Sequence, residues 1–329
     1  MSSTLDALVT ARDLDAATDA VAEDRFNAMV ARLSKLSVEK HFDAFVDVPW
    51  DDPEMAIDAT DPRWELWGLD DLSRTAWYRS QPPEVRSRIG LHRIAHALHT
   101  GWQFENILQV GLLIHAMGQG PDSTQFRYLH HEIVEESQHS MMFHEFVRRS
   151  GMATKGMPPL TNLVIRPFLM LAARWDPMIL CLAALAGEEP ADHLQREQLQ
   201  LGYPHPLIER ITRIHVTEEA RHISFARHYI RRNAPKLGRL RRAGLSLAFP
   251  VFMFVGALLM VHPGRRFAKV HGIPRRVMRD AYRTPTARRL FADSVQKARD
   301  LADELELMNP VARHLWVRLF DHGTTQAAG

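Results

Sequence analysis

Two segments of the sequence place a carboxylate and an imidazole one helical turn apart. Glu136 and His139 stand in HHEIVEESQHS. Glu219 and His222 repeat the spacing in RIHVTEEARHISFARH, and His215 lies four residues before Glu219. Residues three or four positions apart share one face of a helix, so each set can direct its side chains at the same point. Oxygen and imidazole ligands without thiolate suit iron or manganese.

Two further apolar segments each carry a carboxylate. Glu105 lies within LHTGWQFENILQVGLL, and Glu188 and Glu189 follow MILCLAALAG. Burial of an unpaired carboxylate is costly, and a bound metal ion is the simplest compensation. The alternative is that Glu105 is solvated or ion-paired near a helix edge, and that His139 and His222 are hydrogen-bonded core histidines.

The elements that would position these residues are helices. Helical periodicity dominates the chain, and strand-like alternation is nearly absent. Segment 48–83, rich in Trp, Asp and Pro, is predicted to be an irregular connection held down by its tryptophans. Helices are predicted at 17–40, 84–118, 122–150, 160–174, 176–201 and 205–232, followed by a charge-free helix, short basic helices from about 274 and a last helix near 309–319.

Four of the predicted helices carry the candidate ligands. In chain order they hold Glu, Glu-x-x-His, Glu and His-x-x-x-Glu-x-x-His. Ferritin-like di-iron and di-manganese proteins take one Glu from each of two helices and a Glu-x-x-His from each of the other two. We therefore predict an all-α, ferritin-like helical bundle with additional N- and C-terminal helices. No flexible linker separates the long helices, so residues 1–329 are predicted to form a single domain with metal-binding helices at about 84–232.

The composition narrows the class of protein further. In 329 residues, 41 Lys and Arg nearly balance 39 Asp and Glu, which argues against a nucleic-acid-binding protein. Cys181 is the one cysteine, which excludes a disulfide framework and a cysteine-based zinc site. The N-terminal segment lacks the apolar core of a secretory signal. We expect a cytoplasmic protein.

One stretch challenges that expectation. Residues 244–261, GLSLAFPVFMFVGALLMV, contain 18 positions without a charge, at the lower limit of a membrane span. Pro250 and Gly256 interrupt the run, and arginines flank both of its ends. We predict a buried core helix or a dimer-interface helix. A peripheral or membrane-dipping segment is the alternative.

The motifs EESQH at 135–139 and HVTEEARH at 215–222 resemble those of the AurF-type di-iron N-oxygenases, whose founding member oxidises p-aminobenzoate to p-nitrobenzoate. A histidine one turn before the second Glu distinguishes this family from most other ferritin-like oxygenases. The resemblance covers about 85–230. It implies that two iron ions are held by Glu105, Glu136, His139, Glu188, His215, Glu219 and His222.

The third helix offers two neighbouring candidates for one ligand position. The interval seen in the family favours Glu188 over Glu189. Adjacent residues point about 100° apart on a helix, so only one of them can face the metals.

The resemblance implies an O₂-dependent oxidoreductase that converts an arylamine to a hydroxylamine or nitro product. It also implies a homodimer, and manganese is an alternative ion for one position. An external electron donor such as a ferredoxin or reductase is expected, because the sequence shows no Gly-rich dinucleotide fingerprint and no cysteine cluster. The alternatives are an oxidase or hydroxylase of a lipid-like apolar substrate and a non-catalytic ferritin-like metal-binding protein.

Several positions depart from the founding enzyme or lie beside the predicted ligands. Ala97 replaces a tyrosine and Asp192 replaces an asparagine-type residue, which weakens the assignment of p-aminobenzoate as substrate. Glu135 and Asp192 are candidates to orient ligand histidines. Glu218, next to Arg221, is instead predicted to be a surface charge.

Overall fold

The computed structural model describes residues 2–66 and 68–321, with side chains from residue 20 onward except at 162 and 172. This part of the chain consists of α-helices, short 3-10 turns and connections without a β-strand, which confirms the all-α prediction. The α-helices are α1 (Ser2–Glu39), α2 (Ala76–Arg79), α3 (Pro83–Ala116), α4 (Thr124–Ser150), α5 (Pro159–Trp175), α6 (Pro177–Leu201), α7 (Pro206–Asn233), α8 (Arg239–Val261), α9 (Arg265–Val270), α10 (Arg275–Ala281), α11 (Pro285–Asp293), α12 (Gln296–Glu304) and α13 (Pro310–Phe320).

Four long helices form the central bundle. Helix α3 packs along α4 and α7 packs along α6, and the two pairs meet where α3 contacts α6 and α4 contacts α7. Helix α1 packs on α4 and α7, α5 packs on α3 and α6, and α8 packs on α6. The arrangement confirms the predicted ferritin-like bundle with additional N- and C-terminal helices. The single domain stays a prediction.

The ends of the central helices follow from local sequence signals. Helix α4 ends at Gly151, whose φ of 63° lies in the left-handed region that favours glycine. Asp176 caps α6 by accepting a hydrogen bond from the Met178 N–H at 3.1 Å. His205 caps α7 in the same way, and Pro206 follows at the first helical position. The bounds of all four central helices therefore lie within two residues of the predicted ones.

Helix α8 approaches the backbone of α6 closely just before Glu188. A Cβ atom at Gly256 would lie 1.8 Å from the carbonyl oxygen of Ala186, so only glycine fits there. Pro190 lacks the N–H that would otherwise bond this carbonyl within the helix. Phe249, on the same helix as Gly256, is fully buried. One face of the charge-free helix is thus a core face, as predicted, and it supports α6 from behind.

The other face of α8 is exposed and continues onto α5. The rings of Phe168 and Phe252 lie 6.0 Å apart between centroids, so the two helices present one apolar surface, here called the α5–α8 face. By length and composition the segment Arg239–Val270 could cross a membrane, and 39% of its most apolar window is buried in the protein. Exposed apolar side chains on these two helices include Leu160, Leu163, Val164, Leu171, Trp175, Leu247, Val251 and Leu258.

Some predicted bounds are wrong. Helix α1 begins at Ser2 rather than at 17, and α8 begins at Arg239, ahead of the charge-free run. Helix α9 is absent from the predicted elements because its six residues, RRFAKV, are too few to show an apolar period.

The connection at 48–83 consists mainly of short turns, as predicted. Its 3-10 turns begin at aspartates whose carboxylates accept backbone N–H groups, for example Asp61 from Arg63 at 2.8 Å. Trp50 and Trp64 are buried and hold the segment down, and Trp64 stacks on His205 with ring centroids 3.8 Å apart. Trp67 lies outside the described residues.

Candidate metal centre

The structure gathers the seven sequence-predicted metal ligands between the four central helices. Each of these side chains belongs to a residue that is at most 4% exposed. Glu105 comes from α3, Glu136 and His139 from α4, Glu188 from α6, and His215, Glu219 and His222 from α7.

One carboxylate oxygen lies at the middle of the cluster. Glu219 Oε1 is 3.3 Å from His139 Nδ1 and 3.4 Å from His222 Nδ1. The same oxygen is 3.5 Å from His215 Nε2, which is itself 3.4 Å from Glu105 Oε1. Two ligands held about 2.1 Å from one ion at right angles would lie about 3 Å apart. The spacing of these atoms therefore fits neighbouring ligands around metal ions.

Overlapping triplets of side chains have ligand atoms within 4.8 Å of one another. The ligand atoms of the whole cluster do not all lie within 4.8 Å of one another, so they extend over more than one such group. This overlap of neighbouring groups indicates a site for more than one ion. The triplets are Glu105, His139 and His215; Glu132, Glu136 and His222; Glu136, His139 and Glu219; and Glu188, His215 and Glu219.

Helices α4 and α7 meet the cluster through the same five-residue motif, EE-x-x-H, as EESQH and EEARH. The first Glu of each motif contacts the histidine of the other. Glu218 Oε2 lies 2.9 Å from His139 Nε2, and Glu135 Oε2 lies 2.8 Å from His222 Nε2. A carboxylate only accepts, so each Nε2 donates its proton to that carboxylate, and each Nδ1 is directed at the centre, where its lone pair would bind a metal ion.

Glu218 is not a surface charge, and the prediction for it was wrong. Its side chain is fully buried, and the neighbouring Arg221 is only 5% exposed. Arg221 Nη2 lies 2.8 Å from Glu135 Oε1 and 3.4 Å from Glu218 Oε1, so one guanidinium pairs with both carboxylates. The prediction failed because α1 covers this part of α7: Arg221 also donates to the Lys40 carbonyl oxygen at 3.1 Å.

Gln195 holds the third histidine and was missed by the sequence analysis. Its Oε1 accepts from His215 Nδ1 at 2.8 Å, which leaves His215 Nε2 directed at the centre. Gln195 lies seven residues after Glu188, two helical turns along the same face, and that spacing could have identified it. Asp192 does not orient a ligand histidine, contrary to prediction, because it pairs with Arg196 at 2.7 Å.

The residues present fit a bound metal pair. Buried polar atoms are nearly always hydrogen-bonded in folded proteins, and unpaired ones require an explanation. Here both carboxylate oxygens of Glu136 and of Glu219, Glu188 Oε1, His139 Nδ1 and His222 Nδ1 are buried without a hydrogen-bond partner. All seven atoms belong to predicted ligands, and metal ions would satisfy them together.

The carboxylates of the cluster shift one another's pKa values. Burial and the neighbouring carboxylates raise the pKa of Glu188 well above its usual range. Burial also raises the pKa of Glu105 to about 7. Burial would raise the pKa of Glu219 too, but contacts with His222 and His215 outweigh it and lower the value well below normal. Bound cations would stabilise the ionised form of all these groups.

The structure separates the two adjacent candidates on α6. Glu188 belongs to the cluster with His215 and Glu219. Glu189 points to the other side of the helix, where its Oε1 accepts from Arg227 Nε at 2.6 Å. This contact supports the choice of Glu188 as the predicted ligand.

A further carboxylate, Glu132, lies one turn before Glu136 and was also missed. It is 2% exposed and borders the cluster beside His222. Burial raises its pKa to about 8, and the buried Tyr128 lies next to it. The spacing of four residues from Glu136 is the signal that could have identified it.

A cavity of about 240 Å³ opens on one side of the cluster. Of the seven predicted ligands, Glu105, Glu188 and His215 line it. The wall next to these ligands is mainly apolar, and the cavity gives a small molecule access to the cluster from the α3–α6 side. Residues of this wall include Ala97, Leu98, Gly101, Phe104, Phe143, Gly187 and Ala191.

A helical bundle that encloses four carboxylates and three oriented histidines defines a ferritin-like, carboxylate–histidine metalloprotein. The chain belongs to the AurF family. The family model described as P-aminobenzoate N-oxygenase AurF matches residues 23–306, which confirms the resemblance found in the motifs. The family is one of di-iron proteins.

Similar proteins are known from mycobacteria. The uncharacterized protein Rv0885 of Mycobacterium tuberculosis and the uncharacterized protein Mb0909 of Mycobacterium bovis are each 40% identical to the chain over 307 residues. The match covers 93% of this chain and 89% of each relative. No solved structure matches the chain.

Proposed function

We propose that the chain is a non-haem di-iron oxygenase that uses O₂ to oxidise the nitrogen of an arylamine to a hydroxylamine or nitro group. The observation that carries the proposal is the set of buried, unpartnered ligand atoms beside an apolar cavity. Membership of the AurF family supports the same reaction class.

The seven predicted residues would hold two ions. Their oxygen and imidazole donors without thiolate favour iron, with manganese as the alternative in one position. When bound, the metal ions supply the redox chemistry that activates O₂.

The surrounding side chains orient the ligands and keep the reaction away from water. Glu218 and Glu135 hold the Nε2 protons of His139 and His222, so the Nδ1 lone pairs keep their direction. Phe104 forms part of the cavity wall beside the predicted ligands and excludes water there.

Electrons must come from outside the substrate. Conversion of an arylamine to a hydroxylamine inserts one oxygen atom of O₂ and reduces the other to water, which consumes two electrons and two protons. We propose a ferredoxin or a reductase as the donor.

The second candidate function is an oxidase or hydroxylase acting on a lipid-like apolar substrate. It is favoured by the exposed α5–α8 face and by Met260 and Val261, at the end of α8, which line the cavity. The third, a non-catalytic ferritin-like metal-binding protein, would need a polar route for ions, whereas the wall beside the cluster is apolar.

We also propose a cytoplasmic homodimer that buries the α5–α8 face. Support comes from the exposed fractions of Leu163 at 72% and Val251 at 45%, large for apolar side chains. Light scattering should give twice the chain mass for the parent and the chain mass for Leu163→Ser, Val251→Ser. The matched control, Val134→Ser, changes an exposed valine on α4 and should stay dimeric. A monomeric parent that binds lipid vesicles through this face would contradict the homodimer. It would favour the second candidate function, oxidation of a lipid-like substrate.

Iron content tests the proposed metal centre. The parent, reconstituted anaerobically with ferrous iron, should hold about two iron atoms per chain by mass spectrometry, as the family pattern requires. The isosteric double variant Glu136→Gln, Glu219→Gln should hold almost none. Glu209→Gln, which changes a half-buried glutamate in the first turn of α7, is the control and should match the parent. An iron-free parent would contradict the oxygenase proposal. If the parent binds iron, it is then assayed with O₂, a reductant and arylamines.

A further inference from the structure

The charged side chains deep in the cavity wall are already paired within the protein. Arg93 lies 3.2 Å from Asp70 and donates to the Val261 carbonyl oxygen at 2.7 Å. Asp71 lies 2.8 Å from Arg74. A charged ligand would therefore have to displace an existing contact to gain a counter-charge.

Apart from the predicted ligands Glu105 and Glu188, the other charged groups of the wall are also paired or neutral. Arg63 pairs with Asp61 at 2.6 Å, and Glu65 pairs with Arg86 at 3.0 Å. Burial, together with a nearby arginine, lowers the pKa of His262 to about 4, so this imidazole is neutral. Among the described residues that line the cavity, every arginine is committed to a carboxylate, and none of the lining residues is a lysine.

The space beside the predicted ligands suits a small aromatic molecule. Ala97 lies two turns before Glu105, and its small side chain leaves room along α3. At Gly101, one turn before Glu105, the absence of a side chain lets the Phe143 ring pack against the helix. Phe104 and Phe143 provide aromatic walls. The volume of about 240 Å³ is below the roughly 300–1,000 Å³ typical of drug-sized ligands.

Gln195 adds one neutral polar group to this wall. Its carbonyl oxygen is occupied by His215, so its NH₂ group is the part that can donate to a ligand. A neutral donor beside the predicted ligands can bind an uncharged nitrogen or oxygen substituent.

We infer that the cavity selects an uncharged aromatic substrate and disfavours aryl carboxylates, p-aminobenzoate among them. A carboxylate entering the cavity would lose its hydration without gaining a free side-chain cation of the wall, which is costly. A neutral ring would instead bury apolar surface against the wall. The inference rests on the proposed function, since it takes the cavity to be the substrate site.

Calorimetry on the iron-loaded protein without reductant tests the inference. The probes are p-aminobenzoate and its methyl ester, which differ mainly in charge. The ester should bind about tenfold more tightly or better. Equal or tighter binding of the acid overturns the inference. Binding of neither probe to protein with full iron content also overturns it and leaves the metal centre standing, whereas an iron-free parent contradicts the proposed function instead.

A charge introduced into the wall tests the cause of the preference. Leu194 lines the cavity, so Leu194→Arg supplies the missing cation and Leu194→Met is the uncharged control of similar length. Binding of p-aminobenzoate should improve about tenfold in Leu194→Arg and stay unchanged in Leu194→Met. Iron content and circular dichroism verify that both variants are folded and loaded. An Arg variant that is loaded but still rejects the acid overturns the inference.

Discussion

Helices α4 and α7 meet the metal centre with reciprocal EE-x-x-H motifs, whereas α3 and α6 each direct one glutamate at it. On the α4–α7 side, the ligand histidines are held by Glu135 and Glu218, and Arg221 pairs with both carboxylates. On the α3–α6 side, the neighbours of the ligands are small or aromatic and line a cavity. The first side is closed by charge pairing, and the second is left open to a ligand.

This difference assigns separate tasks to the two sides. The closed side fixes the direction of the histidine lone pairs, so changes there should alter stability and metal affinity. The open side provides room, so changes in its apolar wall should alter ligand binding and leave the metal in place. The following variants test that division.

Removal of the shared cation should have the largest effect. Arg221→Met leaves Glu135 and Glu218 buried without a counter-charge, and the free energy of unfolding should fall by about 3–5 kcal/mol. Arg213→Met is the matched control on the same helix, because Arg213 pairs with Glu209 at the surface. The control should cost less than about 1 kcal/mol in urea unfolding. Similar losses of unfolding free energy in both variants would contradict the claim that charge pairing through Arg221 closes the α4–α7 side.

The groups that hold the ligand histidines should contribute differently to iron affinity on the two sides. Glu218→Ala removes a charged acceptor from His139, and iron affinity should fall about 10–100-fold in an anaerobic titration. Gln195→Ala removes a neutral acceptor from His215, and its loss should lie near the lower limit, about tenfold. A larger loss of iron affinity in Gln195→Ala than in Glu218→Ala would contradict the prediction that the charged acceptor matters more than the neutral one.

The support behind α6 can be tested through two glycines of α8. Gly256→Ala places a Cβ against the Ala186 carbonyl and should lower the free energy of unfolding by about 1–3 kcal/mol. Gly244→Ala meets open space on the same helix and should be neutral or stabilising by up to about 1 kcal/mol. Thermal unfolding of the two variants provides the comparison. Equal Tm values would show that α8 does not press on α6.

The open side should tolerate substitution with the smallest effect on stability. Ala191→Leu narrows the cavity beside Glu188, so binding of the methyl ester should weaken about tenfold or more while iron content stays that of the parent. Its unfolding free energy should change by less than about 1 kcal/mol. Ala220→Leu, an exposed position on α7, should change neither property. Loss of iron from Ala191→Leu would mean that this side also holds the metal.

The local spacing of residues carried most of the information about the site. Glu136 with His139, and Glu219 with His222, are fixed on one helix face by the three-residue interval alone. The role of Glu218 depends on how α4, α7 and α1 pack, and its sequence neighbour Arg221 suggested solvent instead. The repeat of EE-x-x-H in both motifs was the available sign of reciprocity.

The fold was predictable where apolar periods are long. Helix α9 is too short for such a period, and the extension of α1 to Ser2 carries no strong apolar stripe. The two faces of α8 could not be distinguished either, because its apolar residues surround the whole helix and only Gly256 marks the contact with α6. Burial in these regions is decided by tertiary packing rather than by local pattern.

The decisive experiment for the proposed metal centre is anomalous diffraction at the iron edge, from crystals of protein loaded anaerobically with ferrous iron. We expect two iron peaks between α3, α4, α6 and α7, with His139 and His222 bound through Nδ1 and His215 through Nε2. Peaks elsewhere, a single peak at full occupancy, or His139 bound through Nε2 would contradict this expectation.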